Sequence, residues 1–414
     1  MKHLAVISYH SSPLIEPGVG DAGGMTVYVR AVAQTLARWG VRTDIFTRSE
    51  GTVTSVDHIS PGVRVVSVPA GPPGALSKER AAAFIDDFVD GILSFADSHS
   101  VDYDLIHSHY WQSGLAGLTL AEALTVPLVH SHHTLARVKN GFLAPGDHPE
   151  PDARIAGEQR VIHEAGVLIA STTEEWEQLA RLYKASHERV KTIYPGVDHG
   201  RFLPGDRTEA RAELGLPQDA AILLCVGRIQ PLKGLDLAVE ALEELSSALD
   251  RDVLLVLVGG SSGAQGPPEE QRIRRLAAEL GVADCVMFAG GQPHERTPHF
   301  YRAADLVAVC SYSESFGLSA LEAHACGIPL IGTDVGALSH MIRDGRSGFL
   351  IDERDASVFA ARAKPLLSDS DMWDDFSRAA IRSASAFTWE RTAGDLVELY
   401  ECLITERFPE ACTC

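Results

Sequence analysis

Ser311-Tyr-Ser-Glu314-Ser-Phe-Gly317-Leu-Ser-Ala-Leu-Glu322-Ala-His-Ala-Cys326-Gly-Ile-Pro329 follows the apolar run Leu306-Val-Ala-Val-Cys310 and leads into a short segment rich in Ala and Leu. The run has the length and composition of a buried strand, and the segment after it that of a helix. Glu314 is therefore expected in the loop at the strand's carboxyl end, and Glu322 about one turn into the helix. The amides of Phe316, Gly317 and Leu318 fall near the helix start, where unpaired N–H groups and the helix dipole favour an anion. A sugar nucleotide would bring a diphosphate to those amides and hydroxyls to the two carboxylates. A plainer reading of the same residues is a capping box of Ser319 and Glu322 with Glu314 as a solvated loop residue, an arrangement open to any strand–helix junction of a parallel sheet.

Outward from this stretch the chain alternates short apolar runs with longer amphipathic ones, the pattern of βαβ units. Toward the N-terminus strands are expected at residues 4–8, 42–46, 63–68, 105–107, 127–130, 167–170 and 190–193. Val29, Val32, Ala33 and Leu36 share one helix face, and Ile85, Phe88, Val89 and Ile92 another. Between the first strand and first helix lies Gly20-Asp-Ala-Gly-Gly24, the strand–glycine loop–helix order of a phosphate-binding turn, where glycine permits close backbone approach. Residues 194–205 are rich in Pro and Gly without periodicity and read as a linker. The pattern then restarts, with strands at 221–227, 253–258, 286–289, 306–310 and 330–332 and a helix face of Leu235, Ala238, Val239 and Leu242. Two Rossmann-like, doubly wound parallel-sheet domains facing across a cleft follow, 1–197 and 198–388.

A chain of 414 residues, 45% hydrophobic, is long enough for two substantial cores. Lys and Arg number 36 against 56 Asp and Glu, a net charge of −20 spread along the chain. That field suits neither nucleic acid nor an anionic membrane surface, so an anionic ligand must be held by a few local cations. The seven cysteines include no Cys-x-x-Cys and sit mostly in apolar runs, which fits reduced thiols in the cytoplasm; Cys412-Thr-Cys414 reads as a frayed tail. No segment is long enough to span a membrane. His107 with His109, and His130 with His132 and His133, lie at two expected strand ends, where a metal site is conceivable.

The Glu314/Glu322 pair around Ser-Phe-Gly-Leu, with Ala-Cys-Gly-Ile-Pro after it, resembles the signature of the family 4 retaining glycosyltransferases of the GT-B fold, and Gly227-Arg228-Ile-Gln-Pro-Leu-Lys233-Gly234 resembles their donor-diphosphate motif. His10-Ser-Ser-Pro13, Gly20 to Met25, His107-Ser-His-Tyr110-Trp111 and Thr134-Leu-Ala-Arg-Val-Lys139-Asn resemble the D-inositol 3-phosphate glycosyltransferases of mycothiol biosynthesis. The likeness covers nearly the whole chain, and implies that a closing helix at 389–414 belongs with residues 1–197 and that the histidines at the two strand ends are buried beside the donor sugar instead of around a metal. It implies a donor site of Gly23, Gly24, Arg228, Lys233, Gln292, Glu314, Phe316, Gly317, Leu318 and Glu322, with His133, Arg228, Lys233 and Glu314 in catalysis. It implies an acceptor site of His10, Thr26, Lys78, Tyr110, Thr134 and Arg154, of which Lys78, Tyr110, Thr134 and Arg154 match the residues holding the inositol phosphate's phosphate. The donor implied is UDP-N-acetylglucosamine. No metal ligand or cofactor is implied, magnesium being compatible but not needed for catalysis, and a homodimer is left open.

Two departures stand beside the acceptor positions: Thr26 where the inositol enzymes have Asn, and Ser131-His132 where they have Thr-Ala. Thr offers a single short hydroxyl where Asn offers donor and acceptor, so the cyclitol is less determined than its phosphate. The alternative enzyme is a secondary-metabolic paralogue acting on an aminocyclitol or a small thiol such as ergothioneine, from another nucleotide sugar such as a GDP-sugar. The alternative outside enzymes is a nucleotide-sugar-binding protein without turnover.

Overall fold

The computed structural model describes residues 1–17, 22–261 and 265–405. Gly20 and the terminal Cys412 and Cys414 lie outside the described residues. The chain forms an eight-stranded and a six-stranded sheet. In the first, β1 (His3–Ile7), β2 (Arg42–Ser49), β4 (Val63–Pro69), β5 (Leu105–His109), β6 (Leu128–Ser131), β7 (Val167–Ala170) and β8 (Val190–Thr192) are parallel, and β3 (Ser55–Ser60) pairs antiparallel with β4 at one edge. Its order is β3-β4-β2-β1-β5-β6-β7-β8. The second, all parallel, contains β9 (Ala221–Val226), β10 (Val253–Val258), β11 (Val286–Gly290), β12 (Leu306–Val309), β13 (Leu330–Thr333) and β14 (Gly348–Ile351), in the order β11-β10-β9-β12-β13-β14.

Both central strands are buried on both faces, which is why they read as continuous apolar runs. Successive residues of β1 serve opposite cores: Ala5 and Ile7 join Phe46, Phe88 and Ile106, whereas Leu4 and Val6 join Val29, Leu36 and Val129. In the second sheet Leu223 and Cys225 face one core and Ile222 and Leu224 the other. The strands expected from apolar runs are present, with ends shifted by at most three residues. Two edge strands, β3 and β14, are not among those expected. β3, Ser-Val-Asp-His-Ile-Ser, is mostly exposed, and β14 is only four residues long behind a turn.

The chain passes between the sheets twice, and the two passages touch. Val197 bridges Thr388, and a Cβ on Gly196 would lie 2.3 Å from the carbonyl carbon of Thr388, so no side chain fits there. Beyond this crossing the helix Trp389–Thr405 returns to the first sheet. It buries Trp389, Ala393, Leu396 and Tyr400 against Tyr28, Val29 and Leu36 of the helix Gly24–Arg38, and Tyr400 Oη sits 2.6 Å from His107 Nδ1. A fully buried Leu or large aromatic contributes about 1.5–3 kcal/mol, enough for this helix to tie the two ends of the chain together.

Candidate active site

In each sheet the strand order reverses beside the first strand, between β1 and β5 and between β9 and β12. At such switch points the loops at the carboxyl ends of adjacent strands diverge and leave a crevice. The loops after β1, β5, β6, β9 and β12 line one cleft.

On the second sheet, the loop after β9 carries Arg228 and Lys233 and closes on Gly234, which has φ +58° and whose Cβ would fall 2.3 Å from the Cys310 carbonyl oxygen. This close approach brings Lys233 to the loop after β12, where its Nζ lies 2.6 Å from Glu314 Oε2. Ser311 Oγ donates to the same oxygen at 3.2 Å. Gly336 supports the Glu314 loop from behind, since a Cβ there would meet the Glu314 carbonyl oxygen at 1.6 Å. Gly317, at φ +85°, ends the loop and begins the helix Leu318–Ala325, which has no side-chain cap. The capping box of Ser319 and Glu322 is thus absent. The Glu322 carboxylate turns away from the helix start, accepting from Tyr301 Oη at 2.8 Å and lying 2.9 Å from His294 Nε2. Arg201 Nη1 donates to His294 Nδ1 at 3.1 Å, which leaves the imidazole proton on Nε2, pointed at Glu322. Gln292 donates to the Ala289 carbonyl at 2.6 Å and lines the cleft.

The first sheet supplies the facing wall. A Cβ on Gly23 would touch Arg228 Nε at 3.5 Å, and one on Gly24 would touch Leu318 Cδ1 at 3.4 Å, so the glycine pair packs directly on residues of the opposite domain. Tyr110 and His133, just beyond β5 and β6, have φ of +74° and +61°, strained for residues with side chains and found where surrounding packing imposes them. The Tyr110 ring gathers three groups: the His10 ring at 4.3 Å, Arg154 Cζ at 4.8 Å and Lys78 Nζ at 5.9 Å. Arg154 Nη2 donates to Thr134 Oγ1 at 2.9 Å and to its carbonyl at 3.1 Å. His133 Nε2 lies 2.9 Å from His109 Nδ1, and the Tyr28 ring packs on it at 5.2 Å. Burial lowers the His133 pKa to about 4, so at neutral pH it offers a hydrogen bond and no charge. His10 is likewise held well below its usual value, first by burial and then by Lys78, Arg154 and Arg228.

Of the expected site residues, the cleft brings together His10, Gly23, Gly24, Lys78, Tyr110, His133, Thr134, Arg154, Arg228, Lys233, Gln292, Glu314, Phe316, Gly317, Leu318 and Glu322. Thr26 is not among them. It is 1% exposed, its Oγ1 lies 3.0 Å from Ser11 Oγ, and the helix turns it behind the cleft wall. Sequence reasoning missed Glu150 and Glu158, whose carboxylates flank Arg154, and His294 and Tyr301, which hold Glu322. A salt-bridging spacing of four from Glu150 to Arg154 and from Arg154 to Glu158 was the one available signal. Among the described residues no group of His, Cys, Asp and Glu is arranged to hold a metal ion, and no helix is long and apolar enough to cross a membrane.

Known proteins share this architecture and sequence. Residues 23–196 match the glycosyl transferase 4-like domain, and residues 206–383 match glycosyl transferases group 1. The chain is 45% identical to the D-inositol 3-phosphate glycosyltransferase of Geodermatophilus obscurus, over 98% of this chain and 90% of that one. It is 44% identical to D-inositol 3-phosphate glycosyltransferase 2 of Catenulispora acidiphila, over 99% and 98%. Among solved structures, sucrose-phosphate synthase from Thermosynechococcus elongatus superposes with a TM-score of 0.89 at 30% identity, covering 98% of this chain and all of that one. With two facing parallel-sheet domains, a cleft at their paired switch points and near full-length identity of this order, the chain belongs to the group 1 glycosyltransferases of the GT-B fold, alongside the D-inositol 3-phosphate glycosyltransferases.

Proposed function

We propose that the protein transfers N-acetylglucosamine from UDP-N-acetylglucosamine to a phosphorylated cyclitol such as 1D-myo-inositol 3-phosphate, with retention of the donor's anomeric configuration, in the cytoplasm. The observation that carries this reading is the convergence on one ring: Lys78, Tyr110, Thr134 and Arg154, scattered over the sequence, meet at the acceptor end of the cleft, opposite Arg228 and Lys233. In this reading residues 198–388 hold the donor and residues 1–197 the acceptor.

The geometry supports the following chemistry. Arg228, Lys233 and the uncapped start of the helix Leu318–Ala325 stabilise the charge that grows on the departing diphosphate. Neutral His133 hydrogen-bonds a donor-sugar hydroxyl. The leaving diphosphate takes the acceptor's proton on the same face. Glu314 is engaged by Lys233 and Ser311, and Glu322 by Tyr301 and His294; such partners suit positioning and hydroxyl binding rather than the nucleophile-and-acid pair of a glycosidase. No metal or cofactor enters the scheme.

The test is incubation with a panel of nucleotide sugars and acceptors, reading product masses and the anomeric coupling of the product. The expected product is N-acetylglucosaminyl inositol phosphate with retained configuration. Efficient glycosylation of an unphosphorylated aminocyclitol or thiol, with inositol 3-phosphate inert, would overturn the reading.

A further inference from the structure

The segment that begins at Thr134 ends in Lys139-Asn140, and neither the donor nor the acceptor assignment gives that pair a role. In the fold both residues reach for Glu150. Asn140 Oδ1 accepts the Glu150 amide at 2.7 Å, and Asn140 Nδ2 approaches the Glu150 carbonyl at 3.5 Å. Lys139 Nζ pairs with Glu150 Oε1. The second carboxylate oxygen, Oε2, lies 2.8 Å from Arg154 Nη1. Glu150 is thus clamped by backbone and side chain in the irregular segment between the helices Ala136–Asn140 and Asp152–Glu164. It is largely enclosed but lines the cleft together with Lys78, Tyr110 and Arg154. Burial pushes its pKa up, but Arg154 and Lys139 outweigh burial and hold it below the ordinary carboxylate range, so it is an anion at neutral pH.

An anion here limits what Arg154 can give a ligand. A guanidinium has five N–H donors. Nε donates to Glu158 Oε1 at 2.7 Å, Nη2 donates to both oxygens of Thr134, and Nη1 faces Glu150. What remains is one Nη1 hydrogen, too little for the two parallel bonds by which arginine grips a phosphate. The charges of Arg154 and Lys139 are likewise balanced by Glu150 and Glu158. A dianion entering this arrangement would meet a carboxylate at hydrogen-bonding range of the cations it needs.

We propose that Glu150 is a built-in stand-in for the acceptor's phosphate: it occupies Arg154 and Lys139 while the acceptor is absent, and a phosphate dianion displaces it and takes both cations. The proposal rests on the phosphorylated-acceptor reading and deepens it. A neutral hydroxyl cannot compete with a carboxylate held by two cations, whereas a dianion with three acceptor oxygens can. Glu150 therefore keeps the empty pocket electrically balanced and makes its opening conditional on a phosphate, a specificity exerted by competition.

The experiment compares wild type with Glu150→Gln, which preserves shape and the Asn140 clamp while removing the charge. Steady-state kinetics and calorimetry are run with 1D-myo-inositol 3-phosphate, with unphosphorylated myo-inositol and with inorganic phosphate. In the variant, the KM for the phosphorylated acceptor should fall at least about fivefold with kcat within about twofold. Inorganic phosphate should bind more tightly by a similar factor, and myo-inositol should show no gain. The rise in melting temperature produced by inorganic phosphate should also be larger in Glu150→Gln than in wild type, a readout that survives a loss of stability in the variant itself. An unchanged or raised KM, with no larger phosphate-induced shift, would mean that Glu150 orients Arg154 and never leaves it, and the proposal falls while the phosphate reading stands. If neither protein uses or binds inositol 3-phosphate but both glycosylate an unphosphorylated acceptor, the phosphate reading fails first and the proposal with it.

Discussion

The two ends of the cleft solve the same electrostatic problem in different ways. At the donor end Lys233 and Glu314 pair at 2.6 Å, and both residues come from two short loops at neighbouring strand ends, with Lys233 still 25% exposed. At the acceptor end Arg154 is 3% exposed and fixed on three sides by Glu150, Glu158 and Thr134, and its company is drawn from five separated segments. The Glu158 carboxylate is itself fully enclosed, accepting from the Ala136 amide and from Tyr183 Oη as well as from Arg154. A cation in a solvated loop pair can be released to a ligand at small cost to the fold. A cation inside a buried network is part of the fold before it is part of the site. Under the proposed function, the difference suits the Lys233–Glu314 end to chemistry on an exposed charge, and the other end to recognition by an Arg154 that Glu158 and Thr134 hold in place.

The largest effect expected from this contrast is acid unfolding that begins on the acceptor side. His107, His109, His130 and His132 are at most 2% exposed, all lie in the first domain, and burial holds each far below its usual pKa, His107 and His132 at about 3. Their folded values lie below the unfolded value of about 6.5. Between those two values the unfolded chain binds more protons, so stability is complete above about pH 7 and is lost as the pH falls, by up to about 1.4 kcal/mol per pH unit for each histidine. His10 and His133 reach the cleft surface and contribute less. Glu175, pushed up to about 6 by burial, opposes the trend with a single proton. From pH 7 to pH 5 the first domain should lose at least about 4 kcal/mol. Denaturant unfolding followed by hydrogen exchange of peptides from each half measures this; simultaneous loss in both halves, or earlier loss in residues 221–351, would break the comparison.

Arg154→Ala comes next. It strands the buried Glu158 carboxylate and should cost about 3–5 kcal/mol of stability, besides raising the acceptor KM at least about tenfold. Lys78→Ala should raise KM comparably with the melting temperature nearly unchanged. Equal stability of the two variants would show that Arg154 is no more structural than Lys78.

At the donor end the expectation reverses. Lys233→Ala should leave the fold intact and lower kcat by about two to three powers of ten, about 2.7–4 kcal/mol, as loss of one donor to a developing oxyanion does. Nucleotide affinity should weaken much less. A kcat unchanged beside a stability loss would place Lys233 in the structural class with Arg154.

The smallest effect belongs to Thr26. Thr26→Val removes a hydroxyl that meets only Ser11 among the described residues, so it should cost about 0.5–1.5 kcal/mol of stability and leave the acceptor KM within about twofold. A KM rise well beyond that would mean that the helix Gly24–Arg38 turns Thr26 toward the acceptor during turnover.

What could be read along the chain and what could not follow the same division. The sheets were legible wherever strands are buried on both faces, as in Ala221–Val226 and Val253–Val258, because such strands must be apolar throughout. The edge strand Ser55–Ser60, open to solvent, needs no such composition and gave no signal. The Lys233–Glu314 side of the cleft was legible because its geometry is local: a strand end, Gly234 where only a glycine fits, and a helix start place Arg228, Lys233 and Glu314 within two short stretches. By itself, then, the sequence determined two doubly wound domains, the switch-point cleft and the placing of Arg228, Lys233 and Glu314 at the strand ends that line it. Only the tertiary structure decided that Thr26 lies behind the cleft wall, that Glu322 is held by His294 and Tyr301, and that Arg154 arrives already paired with Glu150 and Glu158. The physical reason is that sequence spacing sets neighbours within an element, whereas the partners of a buried charge are chosen by whichever elements the sheet order and the returning helix Trp389–Thr405 bring within about 3 Å of it.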